Sequence, residues 1–300
     1  VVRIFVLVTL SLSFTRLAYS ACSSVDLRED ARMPKIRMQG DVSWCYAAVA
    51  ADLLSFKIGK TISYLDLALM SNPGKKALET KAGGSIDDVL DYAKKSGYCL
   101  EEEFPENQGK FHVARVNEEF KKIENLYFSR DRSCNGFDKT SEAFPHETLD
   151  GYLKILKKAK APVQLVQGLE SSNCPKRIPT PPHLTWVKNT RKTSGAKILE
   201  IVDTQLSQKN PVGIGYRNHL RNLSQVGNPG DYHESSLVGR ARNPETHQCE
   251  YLLRNQGGSF CINGDGSNFY DSRLKCEDGY IWVPRAVLEK DLNDYSYIVK

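Results

Sequence analysis

The sequence predicts an α+β protein of two unlike lobes, and three observations carry that expectation. A run near the start, 44–58 (WCYAAVAADLLSFKI), is apolar on nearly every face and holds no Pro or Gly, so it reads as a helix buried all round. After residue 211 the pattern changes to short β-prone segments bounded by Gly, Asn, Pro or Asp. Helices first and strands later is the order of an α+β chain. With 300 residues, 40% hydrophobic and 26% charged, there is enough chain for two lobes around a cleft.

The N-terminus reads Val1, Val2, Arg3, an apolar run from Ile4 to Phe14, then small residues through Ala18, Tyr19, Ser20 and Ala21. That order is charged, apolar and cleavable, as in a secretory signal, with Ala18 placing cleavage after Ser20. The run is too short for a span, which takes about 20 residues, and a buried helix there would lack a cap. Tyr19 disfavours a lipid on Cys22, so release is expected, with the chain secreted or periplasmic. The expected organisation is a signal peptide over 1–20, a mainly helical lobe over 21–106, an insertion over 107–195 and a mainly β lobe over 196–300.

Within the first lobe a second helix is expected over 86–95, with Ile86, Val89, Leu90 and Ala93 on one face, ended by Gly97. Glu101 to Glu103 reads as a solvated acidic face. Between Phe104 and Ala196 the chain is lysine-rich and irregular, with helix-like pieces at 116–126 and 147–158 and a Pro-rich stretch, IPTPPH, from Ile178. Strands are expected over 212–216, 235–242, 250–254 and 280–283. No internal repeat is present.

The formal charge is +5, and a chain without the leader loses Arg3 and Arg16, leaving +3. That is too mild for a nucleic-acid partner. Eight cysteines, at 22, 45, 99, 134, 174, 249, 261 and 276, suit an exported chain whose thiols can pair. If one is kept as a nucleophile, at least one more stays outside the pairs.

A cysteine on a buried helix is usually a small hydrophobe. Cys45 differs because it opens its helix, where unpaired N–H groups and the positive dipole end favour a thiolate and are expected to lower its pKa. Six residues earlier stands Gln39, whose amide can donate to an oxyanion together with the Cys45 N–H. His233 is followed by a strand-like run ending in Gly239, a context that His112, His146, His183, His219 and His247 lack. Asn255 follows a further β-prone segment. Its bland reading is a turn residue before Gly-rich sequence. No His/Cys cluster has zinc spacing, and neither a metal nor a cofactor is called for.

The stretch QGDVSWCYA resembles the nucleophile segment of the papain family, in which a Gln-Gly pair leads by the same spacing to a Cys followed by an aromatic and a small residue. Val25 to Arg28 resembles the opening of the mature enzymes, KAGGSIDDVLDYAKKSGYCLEEEFP the segment with a glycine pair at the cleft edge, DYHESSLVGR the histidine strand, YLLRNQGG the asparagine strand and GYIWV the closing strand. The resemblance implies a papain-like fold, a helical lobe and a β-barrel-like lobe with the active site in the cleft between them. It implies a cysteine endopeptidase with Cys45 as nucleophile, His233 as base and acid, Asn255 orienting the histidine and Gln39 in the oxyanion hole. Gly83 and Gly84 would form the ledge that hydrogen-bonds an extended substrate. Implied partners are a peptide or protein substrate and a proteinaceous inhibitor, with a monomeric chain and no membrane span.

Two positions depart from the family pattern. Gly257 stands where a shielding tryptophan is usual two residues after the asparagine, and Val42 replaces a cysteine often found three residues before the nucleophile. The competing readings are a catalytically silent papain-like binding protein and a Cys/His amidase of cell-wall peptides. Spacing does not determine connectivity; the expected disulfides are Cys134–Cys174, tying the insertion together, and Cys261–Cys276, beneath the closing strand. Because the mature-like opening begins at Val25, no inhibitory propeptide is expected, and any restraint on activity would come from the thiol's redox state, from a partner inhibitor or, the favoured reading, from the insertion acting as a lid.

Overall fold

The computed structural model describes residues 22–38, 43–71, 84–105, 107–108, 111–112, 116–129, 149–189, 193–217, 232–256, 261 and 270–299. The signal segment 1–20, Gln39, Val42, Gly83, Cys134 and Gly257 lie outside these residues.

Helix α1, Cys45–Ile58, has every residue from Tyr46 to Phe56 buried, which its apolar run requires. It ends at Gly59, whose φ of +74° only glycine adopts without strain. Helix α2, Tyr64–Ser71, packs beside it. Helix α3, Ile86–Ser96, starts where the Ser85 hydroxyl accepts from the Asp88 N–H, with Asp87 and Asp88 at its positive end and Lys94 and Lys95 at its negative end. Three further helices follow, α4 (Val116–Ser129), α5 (Leu149–Lys158) and α6 (Pro162–Asn173). Their Ile123, Tyr127, Tyr152, Leu156, Leu165 and Leu169 join the same apolar core as Val49, Leu53 and Val89. These helices of the middle segment are therefore built onto the helical core.

The second core belongs to an antiparallel sheet. Its strands are β1 (Val25–Asp26), β4 (Thr185–Lys188), β5 (Val212–Arg217), β6 (Tyr232–Arg242), β7 (Cys249–Arg254), β8 (Lys275–Glu277), β9 (Tyr280–Pro284) and β10 (Leu292–Val299), while β2 (Asn107–Gln108) and β3 (Phe111–His112) pair apart. The order is β4-β10-β5-β6-β7-β9-β8, with β1 on β6. Helices α7 (Gly195–Ser207) and α8 (Arg285–Asp291) cover one face, where Ile198, Leu199, Val202 and Leu288 meet Val212, Ile214, Leu237 and Leu253. The opposite face of β5 and β6 meets α1: a Cβ at Gly213 would come within 2.8 Å of both Val49 and Ile86.

A buried ionic knot joins the lobes. Asp52 of α1 accepts from Arg37 Nε at 2.6 Å and from Arg254 Nε at 2.7 Å, and Gln256 Nε2 donates to it at 3.3 Å. Arg37 also pairs with Glu101, so the acidic run is only partly solvated. Among the described residues three disulfides are formed, Cys22–Cys249, Cys99–Cys174 and Cys261–Cys276. The last agrees with expectation. Cys174 was expected to pair with Cys134, but α6 delivers it beside Cys99, so the bridge fastens α6 to the chain after α3. Spacing could not reveal this because it depends on how helices pack.

Candidate active site

Cys45 opens α1 at the junction of the lobes and is the free cysteine among the described residues. Its sulfur accepts from the backbone N–H groups of Glu234, Tyr46 and Cys45 itself, which favour a thiolate. Burial outweighs them and pushes the thiol up, so the expected lowering by the helix start alone does not hold. Trp44, 2% exposed, packs into the helical core.

Strand β6 carries His233 immediately before the Glu234 N–H that reaches the sulfur. His233 Nε2 lies 2.9 Å from Asn255 Oδ1, and the Asn255 Nδ2 donates to the hydroxyl of buried Tyr270. With Oδ1 facing the ring, the amide oxygen accepts and His233 Nε2 carries the hydrogen. The edge of the Tyr216 ring packs against the imidazole at 5.7 Å between centroids, from the cross-strand position. Thus Cys45, His233 and Asn255 are brought to one region by α1, β6 and the end of β7. Gln39 and Gly83 lie outside the described residues. At Gly84, the remaining ledge position, a Cβ would strike the Tyr46 ring at 2.5 Å, so packing already demands glycine there.

Tyr270 and Glu234 were not foreseen. Tyr270 ends a Gly- and Asn-rich stretch that has no periodicity to read. Glu234 left a trace, a charge inside the apolar run of β6. Cys99, Glu170 and Cys174 have metal-ligand spacing, but the disulfide removes both thiolates as ligands.

No protein-family model matches the sequence, and no curated protein sequence does. Solved structures do match. Xylellain, a cysteine protease from Xylella fastidiosa, aligns with a TM-score of 0.50 and 16% identity over 92% of this chain and 86% of its own. The stem bromelain precursor aligns at 0.51 and 12% identity over 93% and 71%. The fold is papain-like. The proform of the ragweed pollen protease Amb a 11 aligns at 0.48 and 16% identity, and this chain spans 66% of that proform. At these identities the papain-like architecture is what is shared, and the chemistry rests on the residues of this chain.

Proposed function

We propose that the chain is a cysteine-type peptidase that hydrolyses peptide bonds through Cys45, His233 and Asn255. The observation that supports this most is the His233–Asn255 hydrogen bond, formed one residue from the N–H that contacts the Cys45 sulfur. Asn255 occupies Nε2, which assigns Nδ1 of His233 to the thiol. The half-buried thiol hands its proton to that nitrogen, and the thiolate attacks the peptide carbonyl. Gln39 and the Cys45 N–H hold the oxyanion, His233 protonates the leaving amine, and water releases the acyl group from the thioester. Gly84, with Gly83, lies along the extended substrate.

The reading is consistent with a chain released from the cell that produces it. The three disulfides suit an oxidising compartment, and among the described residues no helix is long and apolar enough to cross a membrane. The test is labelling of Cys45 by an epoxide thiol inhibitor together with hydrolysis of fluorogenic peptides. Both are expected in the wild type and absent in Cys45→Ala. A folded chain that neither labels nor cleaves would refute the proposal.

A further inference from the structure

A cavity of about 670 Å³ lies where three stretches of chain meet, 35–37 before α1, 60–61 after it and 100–102 after α3. Cross-ties hold its walls. Arg37, 2% exposed, donates through Nη1 to Glu101 at 3.2 Å and through Nη2 to the Ile62 carbonyl at 2.9 Å. The Glu101 N–H donates to the Thr61 carbonyl, Ile62 and Leu100 are bridge partners, and the Lys35 carbonyl accepts from Arg254. The space is therefore built into the fold, and its volume falls in the range of roughly 300–1,000 Å³ usual for small-molecule sites.

Its lining is amphipathic. Ile36 and Leu100 supply apolar surface, and the methylene stems of Lys35 and Lys60 add to it. The charges do not cancel. Glu101 is taken by Arg37, whereas exposed Lys35 and Lys60 form no ion pair among the described residues. Two ammonium groups thus stand on one cavity against the remaining carboxylate, that of exposed Glu102. An anion in the cavity relieves the repulsion between the ammonium groups and gains charge-assisted hydrogen bonds from them, while a cation meets the opposite balance.

We propose that this cavity is a binding site for a small amphipathic carboxylate, its aromatic or aliphatic body laid on Ile36 and Leu100 and its acid held by Lys35 and Lys60. None of Cys45, His233 and Asn255 lines the cavity, and the inference does not depend on the peptidase reading.

The test titrates the full chain at neutral pH with three probes that share one fluorophore and differ in charge. They are anionic dansylglycine, neutral dansylamide and cationic dansylcadaverine, with Kd read from dansyl emission. Dansylglycine is expected to bind about tenfold tighter than dansylamide, the discrimination of one charge-assisted hydrogen bond, and dansylcadaverine more weakly than either. With Lys35→Gln and Lys60→Gln combined, the ratio of dansylglycine to dansylamide affinity should fall towards one. Thr61→Trp, which fills the cavity from its exposed rim, should weaken all three probes together. Thermal midpoints check that these surface variants fold. Equal affinity for dansylglycine and dansylamide in the unsubstituted protein overturns the inference whatever the variants do. So does a dansylglycine preference that survives loss of both lysines, or an affinity untouched by Thr61→Trp, which would put the probe elsewhere. Dansylcadaverine binding tighter than dansylglycine would give the cavity to cations through Glu102 and overturn it as well.

Discussion

Arg254 donates through Nε to Asp52 at 2.7 Å, joining the residue before Asn255 to the helix that begins at Cys45. Both side chains are buried, Asp52 also takes the Arg37 guanidinium, and Arg254 further donates to the Tyr280 hydroxyl. Asp52 thus serves two guanidinium groups, with Glu101 as a further partner of Arg37, in a buried junction that is far costlier to break than to omit.

Asp52→Asn should therefore destabilise the protein by about 3–5 kcal/mol, because buried Arg254 loses its carboxylate and Arg37 keeps only Glu101. Urea unfolding followed by intrinsic fluorescence reads this as a lower midpoint at unchanged slope. A midpoint equal to wild type would show that water already serves the two arginines.

Tyr270→Phe removes the acceptor that fixes the Asn255 amide while leaving the ring in the core. A net hydrogen bond of ~1 kcal/mol corresponds to roughly a fivefold fall in kcat, with KM and thermal midpoint close to wild type. An unchanged kcat would mean that Asn255 holds its orientation without the phenol.

Burial, and next the charge of Asp66, push the Glu170 carboxyl up to about 10. In the unfolded chain it titrates near the ordinary value of about 4.3, so across the interval between them the folded state holds a proton that the unfolded state has lost. The stability this group contributes is complete below the lower value and declines as pH rises towards the upper one. Glu170→Gln abolishes the titration, so wild type should lose stability relative to the variant as pH is raised from 4 to 8. Parallel stability curves for the two proteins would contradict the raised carboxyl.

Peptide mapping without reduction should recover Cys22 joined to Cys249, Cys99 to Cys174 and Cys261 to Cys276, with Cys45 open to iodoacetamide. Replacing Cys99 and Cys174 together by Ala should cost about 2–5 kcal/mol, since the bridge fastens α6 to the helical core. A peptide linking Cys134 to Cys174 would restore the pairing expected from sequence.

The sequence was most readable where one local rule suffices. The apolar run of α1, and the one-sided Ile86, Val89, Leu90 and Ala93 of α3 with Gly97 after them, placed both helices within a residue or so of their observed bounds. Strands β5, β6, β7 and β9 were legible as β-prone runs between breakers, although β6 begins earlier than expected, at Tyr232. Helices α2, α6 and α7 and strand β10 went unread, even though Ser194 caps α7 and Pro162 opens α6 as helix starts do. What one sequence could not supply is whatever depends on distant neighbours. The Cys99–Cys174 bridge, the Asn255–Tyr270 contact and the tie of Arg37 to Glu101 are products of packing.

The order of α1, β6 and β7 along the chain also sets a timetable. During synthesis Cys45 leaves the ribosome roughly 190 residues before His233, an interval of about 10–40 s at ordinary elongation rates. Throughout it the sulfur lacks the Glu234 N–H, the imidazole and Asn255, all of which arrive with β6 and β7. The bridge from Cys22, at a separation of 227 residues, cannot close until β7 has emerged as well. On the proposed chemistry, the nascent chain carries a nucleophile with nothing to activate it until β6 and β7 have followed it out.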